Sequence, residues 1–166
     1  MGIEMSQLLQ SHDYIVGQLT PSIVLYEPSF EGWLSAVFYV YASKLQDDES
    51  LQLIAQDCYV TSLIAQATSV ATDEDKAERV LVKLNQLLGR SGMRNLLWGF
   101  LSEKDHIGTT LFQVVKYAID YPSRSFMEDL GNLNVLELVQ TVKSVAREKH
   151  RMEAFVRFEH TSDNIY

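Results

Sequence analysis

Basic side chains gather in one short segment near the end of this 166-residue sequence. Between Lys143 and Arg157 the chain has five basic residues and two acidic ones, a local charge of +3. Arginine and lysine side chains at helical spacing can bind phosphate or carboxylate groups through charge-assisted hydrogen bonds. The sequence therefore predicts an anion-binding surface formed by Lys143, Arg147, His150, Arg151 and Arg157.

A long amphipathic helix in this segment is expected to position most of these side chains. At about 100° per residue, the first four of them fall within an arc of roughly 100° around the helix. Apolar residues occupy the other side: Leu138, Val142, Val145 and Met152. We therefore expect the basic face to look outward and Arg157, on a following strand, to reach the same surface. The alternative is a solvated face that pairs with the chain's own acidic residues, which is the commoner arrangement in proteins.

One residue of this surface, His150, could also transfer protons, because imidazole titrates near neutral pH. Glu148 and Glu31 are the carboxylates that would orient it in such a role. A histidine between arginines more often only donates a hydrogen bond, so both interpretations stay open. His150, Glu148 and Glu31 are therefore the candidate catalytic residues.

Metal and cofactor motifs are missing from the sequence. The other three histidines are scattered, and none has metal-ligand spacing with another histidine or with the single cysteine, Cys58. The chain also lacks a phosphate-binding glycine loop, a dinucleotide fingerprint and a nucleophile elbow. We therefore predict neither a metal site nor a cofactor.

The overall composition is that of a globular protein, with 46% hydrophobic and 22% charged residues. The net charge is −8, and outside the basic segment nine basic and twenty acidic residues leave −11, which makes most of the chain a poor match for a polyanion.

A lone cysteine cannot form an internal disulfide. No apolar run approaches the roughly 20 residues of a membrane span, and the first residues lack a secretory signal. We therefore expect a cytoplasmic protein with no membrane association.

Periodicity predicts five or six helices packed against a small antiparallel sheet. Ile23–Tyr26 is an apolar, β-branched run typical of a buried strand, and Ala154–His160 alternates apolar and polar residues. Gln66–Ala71 is a weaker strand candidate. The predicted fold is α+β, a mainly helical single domain over residues 22–166 that follows an N-terminal extension at residues 1–21.

Several helix boundaries have sequence signals. Ser29 is a plausible N-cap, and Gly89 is expected to end a helix that begins after Thr72. Asn134, with Glu137 three residues later, forms a variant capping box for the long basic helix. After the strand that follows this helix, only a turn and two strand-like residues remain, so we expect the chain to be truncated at its C-terminus.

Several motifs resemble those of a bacterial family described as probable DNA metabolism proteins. The opening of that family resembles Tyr26–Gly32, Tyr-Glu-Pro-Ser-Phe-Glu-Gly, although Glu27-Pro28 stands where the family usually has Asp-Gly. The most specific likeness lies at the end of the chain, in Arg147-Glu148, His150-Arg151-Met152 and Phe155-Val156-Arg157-Phe158. The resemblance covers about residues 23–166.

This resemblance implies a context in DNA metabolism. Members of the family look like partners of a radical-SAM iron–sulfur protein encoded beside them, and some are joined to a uracil-DNA-glycosylase-like domain. The basic helix coincides with the family's most recognisable motif, and this favours a functional role for it over a merely solvated face.

Three hypotheses about function follow. The first is a nucleic-acid-linked accessory or binding protein that acts with a radical-SAM partner in DNA repair or modification. Its DNA ligand would be a single strand or a flipped nucleotide. The second is an enzyme that acts on a nucleotide or modified base, with His150 as acid or base. The third is a protein-interaction module that does not bind nucleic acid.

Overall fold

A computed structural model describes residues 22–61, 65–122 and 126–162, with Phe126 and residues 154–162 described by their backbone alone. These residues form three strands, four α-helices and two short 3₁₀ helices. The prediction of a mainly helical chain with a small sheet is therefore confirmed. The chain divides into two compact units, Met1–Val80 and Leu81–Tyr166. The predicted extension at residues 1–21 lies outside the described residues.

The first unit is built on a three-stranded parallel sheet. Its strands are β1 (Ile23–Tyr26), β2 (Gln52–Ala55) and β3 (Ala67–Val70), in the order β2-β1-β3. Helix α1 (Phe30–Ala42) connects β1 to β2. Parallel neighbours need such a crossover, whereas antiparallel neighbours can be joined by a tight turn. The prediction of an antiparallel sheet was therefore wrong, because a whole helix separates the first two strands.

The strand predictions had different outcomes. Ile23–Tyr26 is confirmed as β1, and the candidate at residues 66–71 contains β3. The predicted strand Ala154–His160 was wrong, because these residues continue helix α4 (Leu133–Ser162). Propagating an established helix adds one backbone hydrogen bond for each residue, whereas a strand is stable only beside a partner strand. The two residues expected to begin a further strand, Ile165 and Tyr166, lie outside the described residues.

Helix α1 begins where its capping residue predicts. The Ser29 side chain accepts a hydrogen bond from the Gly32 backbone N–H at 2.9 Å, as an N-cap does. A Cβ atom at Gly32 would overlap the Glu27 carbonyl oxygen, so only glycine permits the backbone that follows β1 to pass this close to the first turn of α1. Trp33 and Leu34 are fully buried in this part of the core.

Helix α2 (Glu74–Phe100) is interrupted at Gly89, whose φ of 63° and ψ of −177° are not helical. The expectation that the helix ends at Gly89 is therefore partly confirmed, because helical geometry stops there and then resumes. At the start of α2, the Asp73 side chain accepts from the Lys76 N–H at 3.1 Å. The Lys76 side chain and this hydrogen bond lower the pKa of Asp73.

In the second unit, α3 (Ile107–Asp120) packs against α4. Leu111 and Phe112 of α3 and Leu138 of α4 are fully buried. Gly99, near the end of α2, lies against the same side chains, because a Cβ atom there would overlap Leu138 and stand 3.0 Å from Leu111. Three helices therefore meet at one point of this core.

Replacing Gly89 with alanine should lower the free energy of unfolding by about 1 to 3 kcal/mol, because side chains rarely tolerate this backbone conformation. An added Cβ atom would meet open space, so the loss would come from the backbone and not from a clash. Urea unfolding measures the effect, with Gln86→Ala, on an exposed helical position, as the control. Equal unfolding midpoints for the two variants would contradict the prediction.

The buried Tyr26 should make the protein sensitive to alkali. Burial, followed by the nearby charges of Cys58 and Asp57, raises the pKa of Tyr26 from 10.0 to about 12. The neutral phenol is thus favoured by folding, and this stabilisation is complete below pH 10.0 and is lost as the pH rises through about 12. Tyr26→Phe should lose less stability than the wild type across this pH range in urea unfolding. The same alkaline decline in both proteins would show that Tyr26 does not contribute.

Candidate functional site

Charge is divided unequally between the two units. Residues 1–80 contain three basic and twelve acidic side chains, a net charge of −9. Residues 81–166 contain eleven basic and ten acidic side chains, a net charge of +1. All five predicted anion-binding residues therefore belong to the unit whose net charge is positive.

Four of the predicted anion-binding residues are exposed on α4: Lys143, Arg147, His150 and Arg151. Over residues 133–153, where the side chains of this helix are described, the buried residues are Val135, Leu138 and Thr141. At 100° per residue, these three lie about 160° to 280° around the helix from Lys143, on the side away from the basic residues. The core therefore holds α4 in a rotation that turns its basic residues to solvent.

The continuous helix also changes the position of Arg157. With α4 extending to Ser162, the backbone of Arg157 lies about 40° around the helix from that of Lys143. All five predicted residues then share an arc of about 120°, which extends roughly 21 Å along the helix axis from Lys143 to Arg157. We refer to these five residues as the basic stripe.

Acidic side chains do not neutralise the described residues of the basic stripe. Within the side chains that the structure describes, no ion pair involves Lys143, Arg147, His150 or Arg151. Lys149, by contrast, lies away from the stripe, with its Nζ 3.8 Å from Glu153 and 5.7 Å from the centre of the Trp98 ring. The interpretation of a basic face neutralised by the chain's own acids therefore has no support among these residues.

Among the candidate catalytic residues, Glu148 and His150 are on the same helix but do not face each other. They are two positions apart on α4 and so lie about 160° apart around the helix. Glu31 lies in the first turn of α1, in the first unit, and its backbone carbonyl accepts a hydrogen bond from Ser35 Oγ at 2.9 Å. No orienting carboxylate is therefore assigned to His150.

A different histidine does have an orienting carboxylate. His106 precedes α3, and its Nε2 lies 2.5 Å from Oε1 of Glu137 on α4. The other carboxylate oxygen, Oε2, accepts a hydrogen bond at 3.1 Å from Thr110, which is buried. Sequence analysis missed this arrangement because 31 positions separate the two residues, and only the packing of α3 on α4 brings them together.

Lys104 adds a cation beside this pair. Its Nζ donates a hydrogen bond at 2.8 Å to Oγ1 of Thr141, which is 1% exposed and lies one turn after Glu137 on α4. We refer to His106, Thr110, Glu137, Lys104 and Thr141 as the His106 cluster. It places an imidazole, a carboxylate and an ammonium group along one side of α4.

Glu137 is available for this cluster because it does not cap α4. The Asn132 side chain accepts hydrogen bonds from the backbone N–H groups of Asn134 at 3.0 Å and Val135 at 3.2 Å. Asn132 is therefore the capping residue, and the predicted capping box of Asn134 and Glu137 was wrong. The two asparagines are chemically identical, and the turn that precedes α4 decides which of them is the cap.

The residues that the structure describes include neither a candidate metal cluster nor a membrane-spanning helix. No group of three or more His, Cys, Asp or Glu side chains in this part of the chain could hold a metal ion. None of its helices combines the length and the apolarity that crossing a membrane requires.

Comparison with known proteins gives one match. A family model described as a domain of unknown function, DUF4130, matches residues 105–166, which are 62 of the 166 residues. No curated protein and no solved structure matches the chain. The matched segment contains the whole basic stripe and all of the His106 cluster except Lys104.

Replacing Asn132 with alanine should lower the free energy of unfolding by about 1 kcal/mol, because two backbone N–H groups lose their acceptor. Asn134→Ala is the matched control and should change stability by only a few tenths of a kcal/mol, since an alanine within the first turn is well tolerated. Urea unfolding of both variants measures the difference. A larger loss for Asn134→Ala would restore the capping box that the sequence predicts.

Proposed function

We propose that this protein is a nucleic-acid-linked binding module whose basic stripe contacts phosphate groups. We also propose that it serves a radical-SAM iron–sulfur partner in DNA repair or modification. The observation that supports the first proposal is the alignment of Lys143, Arg147, His150 and Arg151 on the exposed face of α4, where none of these four forms an ion pair among the described side chains. The resemblance to probable DNA metabolism proteins supports the second.

Electrostatics limits the size of the ligand. The stripe supplies four or five positive groups, whereas the rest of the chain outside residues 143–157 has a net charge of −11. At 0.1 M salt the screening length is about 10 Å, so these negative charges repel any part of a polyanion that comes near them. Attraction by the stripe therefore exceeds repulsion only for a short segment of nucleic acid. A single strand or a flipped nucleotide suits this condition better than a long duplex.

The protein-interaction alternative uses the same residues. A basic stripe of this length also complements an acidic surface on a partner protein, and such a contact would weaken with salt in the same direction. Nucleic-acid binding and partner binding are therefore measured separately. Co-purification with a tagged radical-SAM iron–sulfur protein from the same genome tests the proposed partner.

Binding of a short, fluorescently labelled single-stranded oligodeoxynucleotide should weaken steeply with salt. We expect a slope of log K against log salt of roughly −3 to −4, since each phosphate contact releases a counterion. Arg147→Ala and Arg151→Ala should each weaken binding and reduce the slope by about one unit. Fluorescence anisotropy over a series of NaCl concentrations gives both quantities.

Arg94→Ala is the matched control for these variants. It removes the same charge from an exposed position on α2, outside the stripe, and should leave the slope close to that of the wild type. If the oligonucleotide does not bind at low salt, the stripe is not a nucleic-acid site and the interaction module becomes the better proposal. Equal losses in all three variants would show that only net charge matters.

A further inference from the structure

The His106 cluster has the arrangement of an oriented proton acceptor. A carboxylate can only accept hydrogen bonds, so the tautomer of a neutral imidazole that suits this contact has its proton on Nε2, facing Glu137. The lone pair that accepts protons is then on Nδ1. Thr110 holds the second carboxylate oxygen, so the acceptor that fixes this tautomer is itself fixed.

Helix stability does not explain why a histidine occupies this position. His106 is the residue that precedes α3, yet its side chain makes no capping hydrogen bond. Serine, threonine, aspartate or asparagine would cap the helix better. The pair with Glu137 is also a weak source of stability, because the His106 side chain is 63% exposed and such pairs are screened by water.

The cluster lies close to the basic stripe. Glu137 and Lys143 are both on α4, six positions apart, so helix geometry places their Cα atoms about 10 Å from each other. The ammonium group of Lys104 stands one turn from Glu137, at Thr141. A strand whose phosphates are bound along the stripe would therefore have an adjacent phosphate within reach of the cluster.

We propose that His106 is a general base that removes the proton from a hydroxyl group attacking a phosphate ester of a nucleic-acid strand. Glu137 is its positioning residue. This inference rests on the proposed function, because the basic stripe supplies the binding of the strand. The attacking hydroxyl is either a ribose 2′-hydroxyl of the strand or a water molecule.

The imidazole of His106 takes up one proton and gives the same proton back, so the reaction needs no other acid or base. Nδ1 takes the proton of the attacking hydroxyl as its oxygen forms a bond to phosphorus. The bond from phosphorus to the leaving oxygen then breaks, and the imidazolium returns the proton to that oxygen. Attack by a 2′-hydroxyl gives a 2′,3′-cyclic phosphate and a free 5′-hydroxyl, whereas attack by water gives a phosphate monoester and an alcohol. Neither route changes an oxidation state.

Cleavage of two matched oligonucleotides tests this proposal. One is an oligoribonucleotide and the other is an oligodeoxyribonucleotide of the same sequence, and mass spectrometry identifies the products. A cyclic phosphate from the first alone indicates 2′-hydroxyl attack, and monoesters from both indicate water. The full-length chain and all variants are purified in parallel, which exposes any contaminating nuclease.

His106→Gln should reduce kcat about 100-fold or more, because glutamine keeps a donor for Glu137 but cannot accept the proton. Glu137→Gln should reduce kcat at least about tenfold with an unchanged KM, since the tautomer is no longer fixed. Arg147→Ala should instead raise KM. The control is Asp120→Asn, the same carboxyl-to-amide change at an exposed site on α3, which should cleave at the wild-type rate.

Binding and cleavage are measured separately, so failure of the general base can be distinguished from failure of the binding module. Binding without cleavage of either oligonucleotide would overturn the general base and leave the binding module standing. Cleavage that His106→Gln does not slow would overturn it as well. Absence of binding would overturn the proposed function together with this inference. Urea unfolding of each variant verifies that a loss of kcat does not come from a loss of folded protein.

Discussion

The packing of α4 on α3 is the contact on which the second unit depends. Leu138 is fully buried between α3 and α4, and Gly99 of α2 leaves just enough room for it. A buried side chain of this kind fixes the rotation of its helix about its own axis. That rotation sets the direction in which each of the other described side chains of α4 points. The basic residues then face solvent, and Glu137 faces the start of α3.

The same rotation separates two kinds of chemistry on one helix. The exposed arc holds positive charges about one helical turn apart at Lys143, Arg147 and Arg151, a spacing that suits a ligand with repeated negative charges. The side that borders α3 holds a carboxylate bonded to a histidine and a threonine. The exposed cations and the carboxylate that contacts the His106 imidazole are on one rigid helix, so their positions relative to each other are fixed, as the proposed chemistry requires.

The first unit has a different electrostatic character. It contains most of the acidic side chains, and its short parallel sheet is covered by α1, with Trp33 and Leu34 in the core. Asp73, at the start of α2, is held in its charged form by Lys76. Negative charge concentrated in this unit repels polyanions there, whereas the second unit has a net charge of +1.

The sequence by itself determined the features that depend on neighbouring residues. Ser29 caps α1 because its hydroxyl reaches a backbone N–H three residues away, and Ile23–Tyr26 forms a strand because its side chains are apolar and two of the four are β-branched. The outward basic face of α4 likewise followed from a period of 3.6 residues. Each of these features depends on residues that lie close together along the chain.

Only the tertiary structure decided the features that join distant residues. Parallel pairing of β1 and β2 depends on the path of α1 between them, and residues 154–162 continue α4 instead of forming the strand that their alternating pattern predicts. His106 meets Glu137 across 31 positions because hydrophobic burial, which has no preferred direction, presses α3 onto α4. Spacing along the chain contains no signal for such a contact, since the contact is a consequence of packing.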